Sequence, residues 1–395
     1  PSAHPSATAR PTSSMAPTAP SPYPSDQPLV SVSPTPTCPT PTPLLPIISS
    51  GMSHVCAIDE FYTLFCWGFN RYGQVGVGSN EDTITSPTAI ELENNPKEIG
   101  LGGYHSCIID VLSKVWCWGW NDYGQLRLGD NVHRNAPKEV ISVSAVKISA
   151  GRLHTCIITT LKKLWCWGQN NWGQLGTGTT SNTTNTPVEV VGLNSDISDV
   201  SLGWLHTCAL DILSQLYCWG FNSFGQLGLG HTTDKSTPTK VVFENSQVVE
   251  VSLGRYHSCI VNNLSQVWCW GQNHVGQLGD GTTTQRTTPT RTSLVTAASK
   301  IDLGFYHSCA IDDRSDLYCW GWNRFGELGL GHTSRIYVPT KVTAVDDVVQ
   351  VSAGYHFTIL VDGNGNIMSM GRNHVSQLGL GDTTNRNTPT LLTGI

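Results

Sequence analysis

Charge is scarce in this chain. Asp, Glu, Lys and Arg make up only 13% of the 395 residues, and the net charge is −6. That balance offers no basic footprint for a nucleic-acid backbone. No run of eighteen apolar residues occurs, so no membrane-spanning helix is expected. Nor does an apolar 3.6-residue period persist over ten residues, which argues against a helical repeat. A phosphate-binding glycine loop and a zincin signature are also missing. Histidines and serines do abound, but they recur as parts of a repeat, and a residue repeated seven times rarely serves as a single nucleophile. No catalytic role and no cofactor are therefore expected.

What is present is repetition, with consequences for the whole fold. The clearest copy reads Gly254-Arg-Tyr-His257-Ser-Cys259-Ile, a polar stretch, then Val267-Trp-Cys269-Trp-Gly271-Gln-Asn273-His-Val-Gly276-Gln277-Leu-Gly279. The histidines assigned to the seven copies are His54, His105, His154, His206, His257, His307 and His356, spaced by 51, 49, 52, 51, 50 and 49 residues. The stretches around His257 and Trp268 are short, β-branched and aromatic, which favours strands. Polar residues such as Asp312-Asp313-Arg314-Ser315 join them as a hairpin turn. Asn-x-x-Gly-Gln-Leu-Gly makes a second tight turn, with glycine supplying positive φ. Pro-Thr-x-Val (Pro238–Val241, Pro339–Val342) begins a third strand, and the run before the next glycine, Val248–Leu253, is a fourth. Four strands per fifty or so residues, seven times over, describe a seven-bladed β-propeller in an all-β chain. The chain stops after the third strand of copy seven, and Ile47–Ser50 stands before Gly51. The first and last repeats are thus expected to complete one blade together and leave no open sheet edge.

These phrases resemble the regulator-of-chromosome-condensation repeat, and the resemblance covers residues 47–395. It implies the propeller fold but no single function, because the family's members include GTPase exchange factors, ubiquitin-ligase modules, a plant ultraviolet-B receptor and a secreted β-lactamase inhibitor. Exchange-factor activity is the less favoured expectation, since nothing resembling an inserted wedge interrupts the repeats.

Twelve of the thirteen cysteines fall in pairs ten residues apart: Cys56 and Cys66, Cys107 and Cys117, Cys156 and Cys166, Cys208 and Cys218, Cys259 and Cys269, Cys309 and Cys319. Each pair straddles the first hairpin turn. Residues directly opposed in an antiparallel ladder bring their Cβ atoms to about 4.5–5.5 Å or closer, near the reach of a disulfide. The repeat histidine, two residues before the first cysteine, lies on the same strand face, so the alternative is a zinc site with three ligands and no repeated fourth. For the histidine itself the plainer reading is a structural residue bonded to backbone between blades. Copy seven has Thr358 and Ser369 at the positions assigned to the pair, and joint loss suits bonded partners. Six disulfides imply an extracellular or cell-surface location. The chain begins at Pro1, so any signal peptide is expected to be already removed or to lie outside this sequence.

Residues 1–46 form a second region. They hold fourteen of the 22 prolines, interleaved with Ser, Thr and Ala. Such a stretch favours extended polyproline II and suits O-glycosylation. The unpaired Cys38 lies within it, and an odd cysteine suggests an intermolecular bond. This arm is expected to contact a neighbouring copy of the chain. Asn182-Thr-Thr184 and Asn263-Leu-Ser265 are candidate N-glycosylation sites carrying covalent glycans.

Variable positions after the repeat glycine carry aromatics and arginines. Tyr104, Arg152, Trp204, Arg255, Tyr256, Phe305, Tyr306 and Tyr355 form the candidate binding rim, a composition typical of interface anchors and sugar stacking. The competing reading makes them fillers between blades. A second variable set (Arg71-Tyr72, Asp122-Tyr123, Asn171-Trp172, Phe224, His274 and Arg324-Phe325) is expected on another rim. The tryptophans next to the paired cysteines are expected in the core. Two function classes follow. The first is an extracellular structural or adhesive subunit, in a glycosylated cell-surface or filamentous assembly joined through the arm. The alternative is a secreted recognition propeller that binds another extracellular protein or a glycan through the rim.

Overall fold

In the computed structural model, the described residues are 45–395 apart from 80, 182, 244 and 245. The arm up to residue 44, with Cys38, and the candidate glycosylation site Asn182 lie outside them. The first blade shows the plan. Strands β1 (Ile47–Ser50), β2 (His54–Ile58), β3 (Leu64–Phe69) and β4 (Thr83–Ile90) pair antiparallel in chain order, with β1 innermost. The plan recurs through Ile336–Lys341 and Arg386–Leu391, the outer strands of the sixth and seventh blades. One strand, Arg134–Ala150, runs unbroken as the outer strand of the second blade and the inner strand of the third.

Local chemistry sets each hairpin. Asp110 Oδ1 accepts the amide N–H groups of Leu112 and Lys114, both at 2.9 Å, while Ser113 takes a positive φ of 65°. This side-chain turn fixes the loop length, and loop length fixes register. Cys107 thereby falls directly opposite Cys117. The same opposition places Cys56 against Cys66, Cys156 against Cys166 and Cys309 against Cys319, and it recurs for Cys208 with Cys218 and Cys259 with Cys269. All six pairs are disulfide-bonded, with S–S distances of 2.05–2.13 Å. Their twelve sulfurs are therefore engaged with one another and not held as thiolates beside the repeat histidines, as the zinc alternative would need. The second tight turn is knotted by an asparagine. Asn222 Oδ1 accepts from Leu227 N–H at 2.9 Å, and its Nδ2 donates to the carbonyls of His231 and Thr233.

Packing between blades is the real core. Trp270 of the fifth blade is fully buried against Leu216, Leu227, Val241 and the Cys208–Cys218 disulfide of the fourth. Truncating a buried tryptophan to alanine costs about 3–5 kcal/mol. Its indole N–H donates to Gln226 O at 2.8 Å, and Ser258 Oγ donates to the same carbonyl at 2.8 Å. That serine in turn lies 3.0 Å from His206 Nε2 of the fourth blade. With its own proton spent on the carbonyl, the hydroxyl must accept from the imidazole, so the histidine is the Nε2–H tautomer. Burial lowers the pKa of His206 to about 3, which keeps it neutral. The histidines thus bond to hydroxyls of the next blade, and the hydroxyls, not the imidazoles, bond to backbone.

Three sequence expectations are corrected. The ring shares no blade between its ends: the strand before each glycine is the inner strand of the same blade, so the seventh blade, Val348 to Leu391, is complete by itself. The first and seventh blades join through backbone and side chains instead, with Gly381 N–H donating to Thr85 O at 3.1 Å, Ser50 N–H donating to Ser352 Oγ at 2.9 Å and Gln350 Nε2 donating to Ile48 O at 3.0 Å. His356 is not the seventh repeat histidine. Phe357 pairs with Gly371 as His307 pairs with Gly321, so a histidine stands one residue early in this copy. Accordingly the positions matching the cysteines are Ile359 and Ser369, which face each other directly, while Thr358 faces Met370.

A double substitution Ile359→Cys/Ser369→Cys is therefore expected to form a seventh disulfide, worth up to about 2–3 kcal/mol for so short a loop. Thr358→Cys/Ser369→Cys is expected to leave two free thiols. Thiol titration and mass spectrometry of the two variants check this register.

Candidate binding face at the channel mouth

The inner strands end at the axis in glycines, and sterics require them. A Cβ on Gly254 would lie 2.3 Å from His257 Cε1 and 2.6 Å from Gly304 O of the next blade. The glycines let seven chains converge, and the residues that follow them surround a small axial mouth of about 100 Å³, lined among others by Met52, Arg152, Trp204, Arg255, Phe305 and Tyr355.

The rim residues form a connected cluster. Trp204 and Phe305 meet edge-to-face at 4.5 Å, and Phe305 meets Tyr355 at 4.1 Å and Tyr306 at 4.8 Å. Arg152 lies 4.6 Å over Trp204, while Arg255 lies 4.4 Å over Phe305 and 4.7 Å over Tyr256. Arg255 also donates from Nη1 to the Tyr306 hydroxyl. Tyr104 continues the arc through Tyr72, at 5.6 Å. Phe305 is 7% exposed and acts as the filler of the cluster, whereas Arg152, Trp204, Arg255, Tyr256, Tyr306 and Tyr355 keep partial exposure.

The second variable set does not form another rim. Tyr72 stacks on Trp120 at 5.1 Å, Phe224 on Tyr256 at 4.9 Å, His274 meets Tyr306 at 5.5 Å and Phe325 meets His356 at 5.2 Å. The two turns open on one side of the propeller and their side chains interleave. Sequence reasoning missed the position between Gly and Asn in Trp-Gly-x-Asn, which contributes Trp120, Phe221, Trp322 and Arg372. Its variation against an otherwise fixed phrase was the available signal. Among the described residues, Arg152, Arg255, Arg335 and Arg372 have no carboxylate within ion-pair distance. Arg335 lies 4.2 Å over Trp322, and Arg372 lies 5.5 Å over Phe325.

The early histidine meets another departure from the repeat. Glu327 stands where six copies have glutamine, with Oε2 accepting from Phe325 N–H at 2.8 Å and Oε1 lying 3.3 Å from His356 Nδ1. Burial pushes the Glu327 carboxyl up to about 8 and the His356 imidazole down to about 3. At neutral pH the pair holds one proton, on the carboxyl, and supplies no negative charge to the arginines nearby. Because the folded-state value of Glu327 is raised, its contribution to stability is full below about pH 4.5 and is lost as pH rises towards 8. Glu327→Gln should therefore melt at a higher temperature than the parent at pH 8.5, with the gap closing towards pH 4.5. Melting curves across that range check the sign.

Comparison with known proteins agrees with this architecture. Residues 128–395 match the RCC1-like domain, and residues 63–109 and 97–125 match the regulator of chromosome condensation (RCC1) repeat. The Arabidopsis thaliana ultraviolet-B receptor UVR8 is 32% identical over 247 residues, 61% of this chain and 56% of the receptor. The probable E3 ubiquitin-protein ligase HERC4 of Homo sapiens is 28% identical over 247 residues, covering 61% of this chain and 19% of the ligase. The chain thus matches only about half or less of the length of these relatives. Human WBSCR16 superposes with a TM-score of 0.78 over 84% of this chain and 94% of its own, at 20% identity. With the repeat register, the interlocked blades and a domain match over more than half its length, the chain belongs to the RCC1-like domain family of β-propellers.

Proposed function

We propose that this protein is a recognition propeller of an oxidising compartment outside the cytosol, binding a protein or glycan partner through the mouth face and catalysing no reaction itself. The observation that carries the reading is the concentration of departures from the repeat on that face. Elsewhere six of the seven copies reuse the same tryptophan, six the same histidine and six the same glutamine for packing. Around the mouth the same backbone position presents Met52, Gly103, Arg152, Trp204, Arg255, Phe305 and Tyr355 in turn. Aromatic and arginine side chains on a rigid support are the usual anchors of an interface. Six disulfides support an oxidising compartment. Among the described residues no helix is long and apolar enough to cross a membrane. Asn263 is exposed at a hairpin tip, as a glycan acceptor needs. The reading as a structural subunit draws on the arm and Cys38, outside the described residues, and has no comparable support from the propeller.

The test is an array of secreted proteins and glycans probed with the full chain, with Trp204→Ala and Tyr355→Ala on the face, and with Thr388→Ala on an outer strand. Partners are expected to be lost at least tenfold by either face variant and retained by Thr388→Ala. Retention by both face variants would show that recognition happens elsewhere.

A further inference from the structure

The mouth face differs from the blade interiors in which buried polar atoms lack a partner: in the interiors these are chiefly neutral, Nδ1 of six repeat histidines and Nε2 of five repeat glutamines, whereas the mouth leaves guanidinium nitrogens. In the blade interiors the repeat tryptophans donate to glutamine carbonyls at 2.8–3.1 Å. On the mouth face, buried polar atoms stand without partners: Arg152 Nε, Arg255 Nε, Arg372 Nε, Trp120 Nε1 and Trp322 Nε1 as donors, and Gln169 Oε1, Gln272 Oε1, Glu327 Oε1 and His356 Nδ1, the last two 3.3 Å apart, as acceptors. A buried donor without a partner is costly, and such a group calls for a physical reason. Donors outnumber acceptors here, and the guanidinium groups have no carboxylate beside them. A guanidinium stacked on an aromatic face still offers its edge as a planar fork for an oxyanion.

We propose that the channel mouth binds the anionic group of an acidic carbohydrate, a uronate carboxylate or a sulfate ester, with Arg255 and Arg152 as the forks and Trp204 and Tyr306 as platforms for the sugar. This rests on the reading of the mouth as a recognition face and names the ligand class. The size of the site selects the group. At about 100 Å³ the axial cavity is smaller than the about 300–1,000 Å³ of sites that enclose a whole small molecule. It admits one anionic substituent and leaves the sugar ring outside, against the aromatics. Aromatic faces suit the apolar faces of sugar rings, and the chain supplies several at once: Arg255 alone lies within 5.4 Å of the rings of Trp204, Tyr256, Phe305 and Tyr306. The charge is local. With a net charge of −6, the chain as a whole does not attract polyanions.

Titration calorimetry of the full chain with polygalacturonate, dextran sulfate, unsulfated dextran and poly-L-glutamate tests the proposal. One or both acidic glycans are expected to bind and neutral dextran not. Arg255→Gln and Arg152→Gln should each weaken binding at least tenfold, with melting temperatures near the parent's. Arg255→Lys, which keeps the charge but loses the fork, should weaken it less than the glutamine variant. Arg291→Gln, on an exposed outer strand, should have no effect. Equal affinity in the parent and both mouth glutamine variants would overturn the proposal, as would equal weakening by Arg291→Gln. Binding of poly-L-glutamate alone at the same arginines would make the mouth a peptide site, overturning the carbohydrate class while leaving the recognition face intact. Binding of none of the four probes would also overturn it, and the array result with Trp204→Ala would still decide the recognition face separately.

Discussion

Seven blades can form a ring only if each buries its polar groups against the next. Six of the seven junctions meet that constraint identically. An imidazole in one blade reaches a Ser or Thr hydroxyl in the next at 2.8–3.1 Å, and that hydroxyl donates back to the glutamine or glutamate carbonyl of the first blade. Every donor in the link is spoken for, and of its acceptors only the imidazole Nδ1 is left without a partner, so no hydrogen of the link is buried unpaired. The seventh junction, where the ends of the ring meet, replaces both partners at once. Phe357 stands for the imidazole and Val55 for the hydroxyl, and both sit in one apolar cluster with Trp67 and Ile359. Exchanging both members of a hydrogen bond for apolar groups of suitable shape is nearly neutral, whereas exchanging one leaves an orphan.

The same logic explains why the disulfides number six. Cysteine sulfurs in the other blades form part of the surface on which the next blade packs, as Cys208 and Cys218 do beneath Trp270 and as Cys309 and Cys319 do beneath Met370. In the seventh blade Ile359 takes the first of these positions beside Phe357 and Trp67, and Met370 replaces the buried tryptophan against the sixth blade. That blade has traded its imidazole, its indole and its disulfide for apolar volume, while keeping the Thr358 hydroxyl that links it to the sixth blade. Its histidine His356, and Glu327 of the sixth blade, turn towards the mouth face.

Much of this was legible in the residues. A period of about fifty with two turn signatures per copy yields seven blades of four strands, because strand length and turn chemistry leave little choice. Cysteines ten apart across a three-residue turn, such as Cys56 with Cys66 and Cys156 with Cys166, stand opposite each other in the ladder. What escaped was phase. In Gly354-Tyr355-His356-Phe357 a histidine stands two places after the glycine instead of three, a departure the sequence itself carries, and the pairing of Phe357 with Gly371 shows which residue takes the repeat position. In a strand a shift of one residue moves the side chain to the opposite face, so His356 faces Glu327 and Tyr306 instead of the next blade's hydroxyl. The single face was hidden as well. Tyr72 and Trp120 lie in different repeats, and their stacking depends on how neighbouring blades sit side by side, which local patterns do not encode.

The most direct test of this account is a double-mutant cycle at the seventh junction. Phe357→His alone should bury an imidazole with no acceptor, and Val55→Ser alone should bury a hydroxyl with no imidazole, each costing about 1–3 kcal/mol on unfolding. Together they should recreate the link. The introduced hydroxyl would donate to the Gln377 carbonyl that already accepts from the Trp67 indole, and most of the loss should be recovered. Simple addition of the two losses would contradict the claim that paired polar satisfaction between blades holds the ring closed.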